Sequence, residues 1–106
     1  MGQTQTKRLE FHQLLVSVMG EGYKVYFQPP ETVKMQYPCV VYHRRYLDSN
    51  NADNIKYLTT RQYQVILISR DPDDDGVDKL FNLPYSHYLS HSVVDNLYHD
   101  AFEIYY

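Results

Sequence analysis

Phe11, Leu14, Leu15, Val18 and Met19 recur at the three- and four-residue spacing of a single helical stripe. Thr6 is a natural cap before that stripe, and Gly20 and Gly22 are natural stops after it, so the pattern predicts a helix over 6–19. The period then changes to two. Tyr23-Lys24-Val25-Tyr26-Phe27-Gln28 alternates as a strand until Pro29-Pro30 ends it, and 31–36 reads as a connecting loop. Two longer strand-like segments follow, Tyr37–Tyr46 and Arg61–Arg70. Val77, Leu80, Phe81 and Leu83 then form a short helical pattern ended by Pro84. The chain closes with strands at about 88–94 and 100–106, joined by a turn over 95–99. The predicted class is α+β, in the order α-β-β-β-α-β-β. It is a single domain with a mostly antiparallel sheet, a long hairpin, and both helices packed on one face.

The two long segments carry the most information because both of their faces are partly apolar. Cys39, Val41 and His43 alternate with Val40, Tyr42 and Arg44, and Tyr63, Val65 and Leu67 alternate with Ile66 and Ile68. A sheet in a small domain normally turns one face to the core and the other to water. Two short helices cover one face only, so the second is expected to meet copies of the protein or another partner. The two segments most simply pair as an antiparallel hairpin whose tip, 47–60, is rich in Asn, Asp and Ser. A tip of that length is unusual in a compact domain and is expected to reach a neighbouring subunit. The residues assigned to that interface are Arg44, Tyr46, Leu47, Asp53, Asn54, Ile55, Tyr57, Leu58 and Arg61.

Composition sharpens this picture. At 106 residues the chain forms one modest core. Ten basic and thirteen acidic residues leave it mildly acidic, which argues against a dedicated nucleic-acid binder. Twelve tyrosines and no tryptophan suit surfaces packed at one end and hydrogen-bonded at the other. Cys39 is the single cysteine and sits in an apolar run, so it reads as a small buried hydrophobe in a reducing compartment. No apolar run reaches the roughly twenty residues needed to span a bilayer, and the first eight residues lack the apolar stretch of a signal peptide.

Candidate chemistry is sparse. Asp71, Asp73, Asp75 and Gly76 imitate the start of a calcium loop, but Asn82 stands where a carboxylate is required, so a helix cap and solvated charge cluster is the expected role. His87 and His91 would share a face of a strand without a third ligand. His99-Asp100 could pair as acid and base but has no nucleophile beside it. Phosphate loops and the HExxH and GxSxG motifs are missing, so neither a catalytic site nor a cofactor or metal is expected. Basic residues gather on the hairpin (Arg44, Arg45, Lys56, Arg61 and Arg70) and are expected to form cross-strand or inter-subunit ion pairs with acidic segments.

In their order along the chain, several strings resemble the tail terminator, tail completion or minor tail proteins of long-tailed bacteriophages. They are Val25-Tyr26-Phe27-Gln28-Pro29-Pro30, Tyr37-Pro38-Cys39-Val40-Val41-Tyr42, Asp53-Asn54 with Tyr57, Ile68-Ser69-Arg70-Asp71-Pro72-Asp73, and Asp95-Asn96-Leu97-Tyr98-His99-Asp100-Ala101-Phe102. Together they span most of residues 20–106. The resemblance implies an α+β virion subunit that assembles in the host cytoplasm into a hexameric ring. Such a ring caps the head-proximal end of the tail tube, stops its polymerisation and joins it to the head connector, while double-stranded DNA passes through the bore. Mild acidity suits such a bore, since a basic lining would hold phosphates. On this reading Asp73, Asp74 and Asp75 form a patch facing the bore or the connector. Two other classes stay open: a head-closure subunit of the same neck, and a cytosolic dimeric regulatory or binding module. An enzyme ranks last.

Overall fold

The computed structural model describes residues 3–48 and 60–106. Helix α1 (Gln3–Met19) begins upstream of Thr6, so the expected cap lies inside the helix. It ends at Gly20, whose φ of 89° lies in the left-handed region and whose N–H still bonds the Val16 carbonyl at 3.0 Å. Strands β1 (Lys24–Phe27), β2 (Cys39–Asp48) and β3 (Thr60–Ser69) follow. Then come α2 (Gly76–Phe81), β4 (Ser86–Val94) and β5 (Leu97–Tyr105).

The five strands form one sheet in the order β1-β2-β3-β5-β4. β2–β3, β3–β5 and β5–β4 pair antiparallel, whereas β1 runs parallel to β2, so the sheet is mixed. The long hairpin is β2–β3, and its ladder reaches Asp48 opposite Thr60. Residues 47, 48 and 60, expected in the tip, therefore lie in strands. Register breaks between Arg44 and Tyr46, and again between Tyr88 and Ser90. Each break shifts the residues beyond it to the opposite face relative to simple alternation.

Both helices pack on one face, as the stripe predicts. Phe11, Leu15 and Met19 of α1 and Leu80 of α2 are fully buried. They pack against Val40 and Tyr42 of β2, Tyr63, Val65 and Leu67 of β3, and Phe102 and Ile104 of β5. Phe11 is the hinge of this core: its ring stacks on Tyr63 at 4.2 Å between centroids and meets Tyr42 edge-on at 5.5 Å.

The opposite face carries a second, smaller cluster of Cys39, Val41 and Ile68. The chain itself covers part of it, because Met35 and Tyr37 from the segment before β2 pack there with Tyr26 and Ile66. The second face is therefore covered in part by the chain's own segment before β2, a cover that the helices alone do not supply. Alternation along β2 and β3 gives no sign of a loop folding back over them.

The last hairpin is tighter than predicted. Val94 pairs with Leu97, so the turn is the two residues Asp95 and Asn96, at φ 53° and 65°. Two successive left-handed residues match the twist of the flanking strands, and Asp and Asn tolerate that conformation better than most residues.

Candidate functional site

Three polar constellations stand out, and each is set up by a different part of the fold. The first lies toward the loop end of the hairpin, where the β2–β3 ladder closes at Asp48 and Thr60, on the helix face. Arg44 pairs in register with Tyr63, Arg61 lies two residues earlier on the same face, and α1 brings Arg8 over Tyr42. The Arg8 guanidinium also lies 4.6 Å from the centre of the Phe27 ring. Burial raises the Tyr63 hydroxyl above the ordinary tyrosine range, while Arg61, Arg44 and Arg8 pull it down. Burial likewise raises Tyr42 against the pull of Arg8, and Tyr42 shares a 2.8 Å hydrogen bond with His12 Nδ1. His12 is held below its usual value by burial and then by Arg8. The Tyr63 ring is fully buried, and among the described residues its hydroxyl has no hydrogen-bond partner. Among the described residues no carboxylate lies within ion-pair distance of Arg8 or Arg44.

The second constellation is the acidic turn between β3 and α2. Asp74 is half-buried there. Its Oδ1 accepts from Tyr23 Oη and from the Gly76 N–H at 2.7 Å, and its Oδ2 accepts from Ser69 Oγ at 2.8 Å. Burial raises its carboxyl, but these three donors and the nearby Lys79 outweigh that and hold it below the ordinary carboxylate value. Asp71 Oδ1 accepts from the Asp73 N–H at 2.9 Å, closing the turn. Asp73 and Asp75 point to solvent. The trio read as one outward patch is therefore divided: Asp74 is a structural bracket, and Asp73 and Asp75 form the exposed surface. The sequence holds no signal that separates them, because the partner of Asp74 comes from Tyr23.

The third lies on β4, at the edge of the sheet. Asp100 of β5 is buried, and a single oxygen, Oδ1, accepts from Tyr88 Oη at 2.8 Å and meets His91 Nδ1 at 2.8 Å. Burial and the bond to Asp100 push the Tyr88 hydroxyl up to about 12. His99 contacts the Leu97 carbonyl instead, so the expected His99–Asp100 pair does not form. The bulge at Leu89 also separates the two histidines. His87 pairs with Glu103 and His91 with Asp100, and those partners face opposite sides of the sheet, so His87 and His91 do not share a face as expected. Among the described residues no group of three or more His, Cys, Asp or Glu is arranged to hold a metal.

β4 itself is exposed on both faces. Leu89, Val93 and Val94 remain 48%, 54% and 52% accessible, and the strand carries no Lys, Arg, Asp or Glu. An apolar groove of about 730 Å³ opens nearby between α1 and the end of β5, lined by Leu14, Pro84, Tyr85, Ile104 and Tyr106 among others.

Of the residues assigned to a subunit interface, Arg44 and Arg61 meet around Tyr63. Tyr46 and Leu47 pair with Gln62 and Arg61 in the ladder. Asp53, Asn54, Ile55, Tyr57 and Leu58 lie outside the described residues. Tyr63 was missed as a polar site because its place in an apolar alternation marks only its ring. No family model and no curated protein matches this chain. Among the described residues no helix is long and apolar enough to cross a membrane.

Proposed function

We propose that this protein is a structural subunit of a tailed-phage neck, a tail terminator. In this reading copies close into a ring, about six by the resemblance, at the head-proximal end of the tail tube. The ring stops tube growth, receives the head connector and lets double-stranded DNA through its bore, with no chemistry of its own. The observation that carries the reading is β4. It is a nine-residue strand at the edge of the sheet, exposed on both faces and without a charged residue. Proteins that live alone protect such edges with charge, proline or a covering element. The bulge at Leu89 interrupts this edge but leaves Val93 and Val94 uncovered. A strand of this kind is built to be covered by another chain. The ordered strings at 25–30, 37–42, 68–73 and 95–102 support the same reading.

The direct test is binding to purified tail tubes and, separately, to head portals. Saturable binding at tube ends supports a terminator. Binding to portals alone moves the assignment to head closure, and binding to neither removes the neck.

A further inference from the structure

The segment between β1 and β2 is pinned at both ends and loosely held between them. Gln28 fixes one end. Its φ of 42° turns the chain out of β1, its N–H donates to the Tyr42 carbonyl at 2.9 Å, and its Oε1 accepts from the Arg44 N–H at 3.2 Å. Pro38 fixes the other, its carbonyl accepting from the Lys24 N–H at 3.4 Å. Between these points Glu31, Thr32, Val33, Lys34 and Gln36 are exposed, while Met35 and Tyr37 are half-buried against Cys39, Val41 and Ile68. Among the described residues a single hydrogen bond ties 31–37 to the sheet, from the Gln36 N–H to Tyr26 Oη at 3.1 Å. Arg70 sits over the Tyr37 ring, 5.4 Å from its centre, and a cleft of about 220 Å³ opens beside it between Tyr37, Ser69 and Asp74. The residues underneath are held by other bonds. Cys39 and Val41 pair with Ile68 and Ile66 in the β2–β3 ladder and with Lys24 and Tyr26 in the β1–β2 ladder.

We propose that residues 31–37 are a strap that opens as a unit while the sheet stays folded, uncovering the apolar patch of Cys39, Val41 and Ile68. Two half-buried side chains, one hydrogen bond and one cation–π contact hold it down. The entropy of fixing its backbone opposes them, so the closed strap is favoured by far less than the fold as a whole. Closed, it hides an apolar face of the sheet from other chains. Open, it presents that face without breaking a ladder. The strap is a property of the single subunit and goes beyond the neck reading.

Cys39 is a built-in reporter, because it is fully buried in this patch and is the chain's single cysteine. The experiment follows its labelling by an aromatic disulfide at pH 8, in urea well below the unfolding midpoint, for wild type, Tyr26→Phe and Ile104→Val. Labelling through the strap is slow and almost independent of urea, because a local opening exposes little surface. Tyr26→Phe removes the acceptor for the Gln36 N–H and is expected to raise the rate about threefold or more. Ile104→Val thins the core on the opposite face and weakens the whole fold, yet should leave the rate unchanged. A rate that climbs with urea along the full slope of global unfolding overturns the strap. So does a rate that Tyr26→Phe leaves unchanged, or that Ile104→Val raises as much. A thiol that reacts as fast as in the unfolded chain overturns it too, since 31–37 would then cover nothing.

Discussion

The Tyr23 hydroxyl donates a hydrogen bond to Asp74, joining the lead into β1 to the turn before α2 across 51 positions of sequence. Ser69 and the Gly76 N–H converge on the same carboxylate, and Lys79 closes the bracket from behind by donating to the Met19 carbonyl at 3.0 Å. One acidic side chain thus ties together the end of α1, the entry to β1, the end of β3 and the start of α2.

Asp74→Ala should therefore destabilise the monomer although it lies on a surface turn. Hydrogen bonds to a charged group contribute about 1.5–3 kcal/mol each, and the losses overlap, so a total near 3 kcal/mol is expected. Urea unfolding with Asp73→Ala and Asp75→Ala as controls measures it. The two controls should stay within about 0.5 kcal/mol of wild type, as exposed positions do.

The same bracket sets an acid limit. The folded carboxyl of Asp74 binds its proton less tightly than the unfolded one, so its contribution is complete above the unfolded value. It is lost as pH falls through the ordinary carboxylate range toward the lower folded value. Stability measured by chemical unfolding between pH 6 and pH 2 should fall less steeply in Asp74→Asn than in wild type. Equal slopes would contradict the bracket.

Gly76 is fixed by space, not by backbone angle. A Cβ there would come within 2.8 Å of Met19 Cε and 3.0 Å of Leu67 Cδ2 and Asp74 Oδ1. Gly76→Ala should cost about 1–3 kcal/mol, the range for overpacking a filled core, despite the better helix propensity of alanine. A thermal melt decides it, and a raised melting temperature would count against the packing described.

Cys39 is fully buried, and burial pushes its thiol up to about 11. It should resist a thiol-labelling reagent at pH 8 in the folded protein and react at once in denaturant, because the thiolate is the reactive form. Rapid labelling under native conditions would show that the second face of the sheet opens.

Val93→Lys places a charge on the exposed edge strand β4. It should leave the monomer fold intact, since Val93 is already 54% accessible, and on the proposed neck reading it should abolish attachment to tail tubes. Circular dichroism and tube pelleting separate the two effects. Full attachment by a well-folded Val93→Lys protein would remove β4 from the contact.

Much of the fold was legible from local pattern. Phe11, Leu15 and Met19 fall on the predicted stripe and are fully buried, and the alternations Val40/Tyr42 and Tyr63/Val65/Leu67 mark the face that the helices cover. Two features needed the third dimension. The parallel pairing of β1 with β2 depends on where the connection over 28–38 leads, and that segment has no periodicity of its own. The bulges at Arg45 and Leu89 also leave no compositional trace, yet the second one sends His87 and His91 to opposite faces. The candidate site was half visible. Arg44 and Arg61 stood out as charges on a hairpin, but their meeting with Arg8 around Tyr63 required α1 to lie across β2 and β3.

The central claim, that this chain is a ring-forming neck subunit, is tested most directly by its mass across concentration, by mass photometry with and without tail tubes, with negative-stain images of the same samples. The account predicts a discrete closed ring of about six copies, forming alone at high concentration or on tube ends. A compact dimer that never gives rings, with tubes present or not, would contradict it.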